Sequence, residues 1–188
     1  MAYFPCHPFF TYALIQDLNR TTDSIIHAIS YSDVQKLRHL LFSSYFPSPT
    51  ASSSVSASSH SASPALVNHS DSHGWSPIHY CVSSPTPAKS ILDMLYRAGA
   101  DMSLYTTSGH GTPLHCLAHK GHASTPASIQ DFIEHLVVDL RAPLAAKDQN
   151  KDTCIHVAAE RGKSIEILIA LLACDSNGVV REMRNSRG

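Results

Sequence analysis

Little of this chain is charged: Asp, Glu, Lys and Arg make up 15 % of its 188 residues and leave a net charge of −1. With a pI near 6.9, no global field draws it to nucleic acid or to an anionic membrane. There is no Gly-rich phosphate loop, no G-x-S-x-G elbow and no H-E-x-x-H pair. Those gaps remove the usual signatures of nucleotide, esterase and zinc-protease chemistry. Ser, His and Asp are plentiful, but abundance is not a triad. The cysteines (Cys6, Cys81, Cys116, Cys154, Cys174) are odd in number and form no C-x-x-C pair, which favours a reducing compartment. No apolar run approaches the length of a membrane span, and Met1 to Phe10 carries no basic residue and is broken by Pro5 and Pro8. The expectation is a soluble intracellular protein, cytoplasmic or nuclear, that is not an enzyme and uses no cofactor, metal or small-molecule substrate.

What the chain does have is a tetrad that returns. It reads Ser76-Pro77-Ile78-His79, then Thr112-Pro113-Leu114-His115, then Thr153-Cys154-Ile155-His156. Ser or Thr before Pro is a helix start: the hydroxyl caps a free backbone N–H, and Pro sits where its missing N–H costs nothing. Histidine three positions after the cap can reach back as Glu or Gln does in a capping box. The three histidines are therefore read as structural hydrogen-bonding residues, not catalytic ones. Each tetrad is followed by a short apolar block and then by a longer apolar segment. Recurrence of this kind marks a repeat protein.

The motif resembles the ankyrin repeat, a unit of about 33 residues with one turn and two helices. The resemblance implies an all-α, ankyrin-type solenoid of stacked helix-turn-helix repeats with projecting turns. Residues 1–22 are expected to form an apolar N-terminal capping segment, in which Tyr12 to Leu18 makes two helical turns. Residues 23–46 resemble a degenerate first repeat, starting at Thr22-Asp23. Residues 47–70 are rich in Ser, Pro and Ala, with too little apolar surface to offset the entropy of ordering them, so a disordered insertion is expected. Ser48-Pro49 and Ser63-Pro64 within it fit the minimal pattern of a proline-directed kinase. Repeats two, three and four span residues 71–106, 107–147 and 148–183, the third having a turn one residue longer. Thr86-Pro87 and Thr125-Pro126 are expected to cap second helices, and Gly99 to end one in a left-handed conformation. Residues 184–188 read as the opening turn of a further repeat, so a fragment of a longer protein is expected.

Ankyrin-like stacks bind partners, so the resemblance implies a protein–protein interaction module or scaffold that binds another protein through its concave face. A second reading is the localising or regulatory N-terminal part of a larger signalling, enzymatic or transcriptional protein. The projecting turns and exposed sides of the first helices supply the candidate contacts. They are His73, Trp75, Tyr80 and Ser83; then Ser108, His110, Cys116, His119 and Lys120; then Asn150, Lys151, Val157, Glu160 and Arg161. Trp75 and Tyr80 are the favoured anchors, since aromatic residues dominate interface hot spots; the plainer account of Trp75 is a ring packed over the neighbouring turn. A zinc ion on His115, His119, His122 and Cys116 is weighed and set aside. His115 already has a capping role, Gly121 takes His122 off the helix face, and no cysteine pair completes a tetrahedron. In the fourth repeat Lys151 and Cys154 replace the usual Gly and Pro. Arg181, Arg184 and Arg187 are read as a solvated basic face.

Overall fold

The computed structural model describes residues 8–42, 64–85, 88–121 and 126–188. The expectations for residues 1–7, for most of the Ser/Pro-rich insertion with Ser48 and Ser63, and for Thr86-Pro87, His122 and Thr125 fall outside these. Among the described residues the regular elements are helical and none is a strand. No helix among them is long and apolar enough to cross a membrane.

The helices are α1 (Pro8–Ser30), α2 (Val34–Phe42), α3 (Pro64–Val67), α4 (Pro77–Ser83), α5 (Lys89–Arg97), α6 (Pro113–Lys120), α7 (Pro126–Glu134), α8 (Cys154–Arg161) and α9 (Ile165–Cys174). A π-helical turn, His135–Asp139, continues α7. Helices α1, α4, α6 and α8 pack in succession, while α2 packs on α5 and α7 on α9. Their shared core holds Ile25, Leu37, Ile78, Leu92, Leu114, Phe132 and Leu171, each almost free of solvent contact. A side chain of that size stabilises by about 1.5–3 kcal/mol when buried. Three of these helices begin at the recurring tetrad, with Ser76, Thr112 and Thr153 as N-caps. Helix α5 ends in a Schellman motif: Gly99 has φ +93°, its N–H bonds to the Tyr96 carbonyl at 2.9 Å, and Ala100 N–H bonds to Leu95 at 2.9 Å.

Two expectations near the N-terminus need correction. Helix α1 runs unbroken through Thr22-Asp23, so neither a helix start nor a segment boundary lies there. Thr22 is buried inside the helix and pairs with His69 at 3.5 Å; packing against later elements overrides its capping tendency. Residues 64–70 are not the tail of a disordered stretch. Val67 is fully buried, and Asn68 bonds to the Gly99 carbonyl and the Asp101 N–H at 2.9 and 2.8 Å. One apolar side chain and one amide with good partners hold this segment down.

The turns before α4, α6 and α8 repeat one hydrogen-bond scheme. Asp71 N–H bonds to the Trp75 carbonyl, Thr106 to Gly111 and Asp148 to Asp152, each at 2.9 Å. A side-chain oxygen of the first residue accepts amides from within the turn: Asp71 Oδ1 from His73 and Trp75, Asp148 Oδ1 from Asn150 and Asp152, Thr106 Oγ1 from Gly111. Asn185 does the same for Arg187 at 2.9 Å. Adjacent turns are tied by Thr107 N–H to Gly74 and Ser186 N–H to Asn150. The residue before the closing carbonyl is left-handed each time, at Gly74 (φ +78°), His110 (+50°) and Lys151 (+60°). Each lies two residues before an N-cap, so His110, not Gly111, holds that position in the longer third turn. Lys151→Gly should raise stability by up to about 1 kcal/mol, because glycine meets no Cβ penalty there. A rise in the urea midpoint checks this, and a fall contradicts it.

Candidate functional site

The recurring histidines join one turn to the next. The Ser76 N–H donates to His79 Nδ1 at 3.2 Å and the Ser76 hydroxyl lies 2.8 Å from the same nitrogen. His79 Nε2 then reaches the Leu104 carbonyl at 3.1 Å. His115 repeats this with Thr112 (3.2 and 2.8 Å) and with the Asp152 carbonyl at 2.9 Å. A nitrogen that accepts from an amide carries no proton, so each ring is neutral with its hydrogen on Nε2. Burial holds both imidazoles below the usual histidine range. His156 makes the local half of the box with Thr153, at 3.3 and 2.8 Å, and is only half-buried. The cap hydroxyls serve the imidazole at 2.8 Å in each box and the third-position amide more weakly, as in His156 N–H to Thr153 Oγ1 at 3.5 Å.

Between the second and third turns lies an open groove of about 270 Å³. It gathers Trp75, Ser108, Cys116, His119 and Lys120 from the first two units, with Val157 and Arg161 from α8. Trp75 is half-buried, with the Tyr80 ring at 5.4 Å and the His79 ring at 6.0 Å. Lys120 Nζ stands 4.2 Å from the centre of its ring, a cation–π contact across two units. Trp75 is therefore both packing and groove wall. Tyr80 does not line the groove; its hydroxyl donates to Asp71 Oδ2 at 2.6 Å and its ring braces Trp75. Burial and that carboxylate push the Tyr80 phenol up to about 12. Burial acts to raise the Asp71 carboxyl, but bonds from Tyr80, Trp75 and His73 outweigh it and hold it low.

The remaining candidates sit apart from the groove. His73, His110 and Lys151 are exposed on the turn tips. Asn150 ties two turns together through its carbonyl. The Ser83 hydroxyl is buried and has no hydrogen-bond partner among the described residues. Glu160 is gripped by Arg187 through both guanidinium nitrogens, chiefly through these hydrogen bonds reaching a pKa of about 2. Burial pushes the Cys81, Cys116 and Cys154 thiols up to about 12, so they behave as apolar packing. No three His, Cys, Asp or Glu side chains converge on a common point among the described residues.

Two constellations have no counterpart in the reading of the sequence. Asp152 is fully buried; its Oδ1 accepts from Asn185 at 2.7 Å, and its Oδ2 faces Arg161 at 3.2 Å and Arg187 at 3.6 Å. The terminal basic residues are therefore not simply solvated: Arg187 pairs here and with Glu160, and Arg181 pairs with Asp175 at 3.3 Å. The second is His135, whose ring nitrogens lie 2.6 Å from Asp139 and 2.7 Å from Asp93. Its own burial opposes protonation, but the two carboxylates prevail and raise its pKa. The pair His135 and Asp139 was legible as an i,i+4 spacing; Asp93, on α5, was not. No family model matches this chain, and no curated protein matches it.

Proposed function

We propose that this chain is an ankyrin-type solenoid whose task is to bind another protein through the groove between its second and third turns. The observation that carries the reading is a quasi-repeating frame. Three turns share one hydrogen-bond scheme, and successive first helices α4, α6 and α8 lie side by side. Such a frame presents equivalent positions of neighbouring units on one continuous surface. There it exposes an aromatic ring and two long cations, the residue types that dominate interface energetics. In the groove both His115 ring nitrogens are engaged and burial holds the Cys116 thiol up to about 12, which supports a binding role for these residues.

The test is affinity purification with the full chain beside a Trp75→Ala, Tyr80→Ala double variant and an exposed-turn control, His73→Ala. The double variant should lose the partner that the wild type and the control retain, with its far-UV circular dichroism unchanged. A double variant that keeps every partner removes the groove from the interface.

A further inference from the structure

We propose that the partner segment seated in this groove is acidic: an extended peptide whose carboxylate lies between Lys120 and Arg161 while a neighbouring apolar side chain rests on Trp75 and Val157. The inference rests on the groove being the binding surface and adds the chemistry of its occupant. The chain as a whole is slightly negative, so the charge at this spot is local. Lys120 and Arg161 both line the groove. Burial first, and then the positive charges of Lys120, Arg161 and Lys163, hold the His119 imidazole low, while Asp148 and Asp152 act on His115 deeper in the same groove.

Most of the acidic groups nearby are paired with arginine. Asp148 lines the groove, with its Oδ1 taken by the Asn150 and Asp152 amides at 2.8 and 2.9 Å, and keeps its charge at the end away from Lys120 where it acts on His115. Asp152 is buried beneath Arg161 and Arg187, and Glu160 is held by Arg187 and lies 3.5 Å from Arg161. Lys120, in contrast, is exposed and has the Trp75 ring for its neighbour, with no carboxylate partner among the described residues. An ammonium ion over an indole, beside the nearly buried Val157 and Cys116, offers an incoming carboxylate a charge partner and its neighbour an apolar seat. A neutral peptide would leave Lys120 unpaired. A basic one would meet like charges.

Trp75 is the sole tryptophan of the chain, so its fluorescence reports on the groove directly. The experiment titrates the full chain with three synthetic peptides of alternating Glu and Leu, Gln and Leu, or Lys and Leu. The Glu peptide should shift Trp75 emission saturably and bind about tenfold more tightly than the Gln peptide, the gap closing as salt is added. Lys120→Glu should weaken the Glu peptide about tenfold and leave the Gln peptide unaffected, whereas Lys147→Glu, outside the groove, should change neither. Equal affinity for the Glu and Gln peptides, a preference for the Lys peptide, or no Trp75 response to any of them overturns the acidic occupant. So does a saturable Trp75 response to a single-stranded DNA oligonucleotide at lower concentration than to the Glu peptide. Those failures leave the groove standing if the Trp75→Ala, Tyr80→Ala variant still loses its partner; if that variant keeps it, the groove itself falls.

Discussion

His115→Ala should destabilise the protein by about 2–4 kcal/mol, a large share of the stability of a marginal domain. The ring is 5 % exposed and joins the Thr112 cap to the Asp152 carbonyl. Truncation strands the buried Thr112 amide, worth about 1–3 kcal/mol, removes one of the two donors on the Asp152 carbonyl, which keeps the Asp148 N–H, and leaves a cavity between two units. His156→Ala is the matched comparison. That side chain is half-buried and makes the local contacts alone among the described residues, so a loss of about 1 kcal/mol is expected. Urea denaturation followed by circular dichroism separates the two. Equal losses would mean that the bond between turns contributes nothing beyond capping.

The second large effect is expected at Gly121. Alanine in place of an ordinary loop glycine usually stabilises, because it restricts the unfolded chain. Here a Cβ would run into the Leu117 carbonyl oxygen and sit 2.7 Å from Ile167 Cδ1. The backbone is not left-handed, with φ −60°, so the glycine is needed for closeness, not for its conformational range. Its N–H already bonds to that same carbonyl at 2.7 Å, which leaves the chain little room to retreat. Gly121→Ala should therefore cost about 2–3 kcal/mol through overpacking. Gly109→Ala, where a Cβ meets nothing within 4 Å, should change stability by less than ~0.5 kcal/mol. Thermal unfolding of the two variants decides it: a Gly121→Ala protein as stable as wild type would contradict the close approach.

How much of this could be read from residues alone depends on the range of the interaction. The starts of α4, α6 and α8 were legible because a cap, a proline and a histidine three positions on act within one turn of chain. The course of α1 was not, since Thr22-Asp23 has the chemistry of a helix start and only burial against distant elements decides that the helix continues. The left-handed residue lies two positions before each cap, at Gly74, His110 and Lys151, and only the first is the residue type that conformation favours. In the groove, Trp75 and Lys120 stood out as an aromatic and a cation at repeating positions. That they touch, and that Tyr80 turns away to Asp71, required coordinates. Asp152 and its arginines, like His135 with Asp93, join groups far apart in the chain and left no periodic trace.

The bridging imidazoles also fix how stability varies with pH. His79 and His115 have depressed values in the folded protein and ordinary ones when it unfolds. Their contribution is therefore present above the unfolded value near 6.5 and is lost as pH falls, by up to ~1.4 kcal/mol per pH unit for each ring. The most direct observation is of the rings themselves, by long-range proton–nitrogen correlation NMR of the folded chain taken from neutral pH to below about 6.5. Both histidines should show protonated Nε2 and bare Nδ1 throughout. A hydrogen on Nδ1, or protonation of both rings already near pH 6.5, would mean that these side chains do not link the turns.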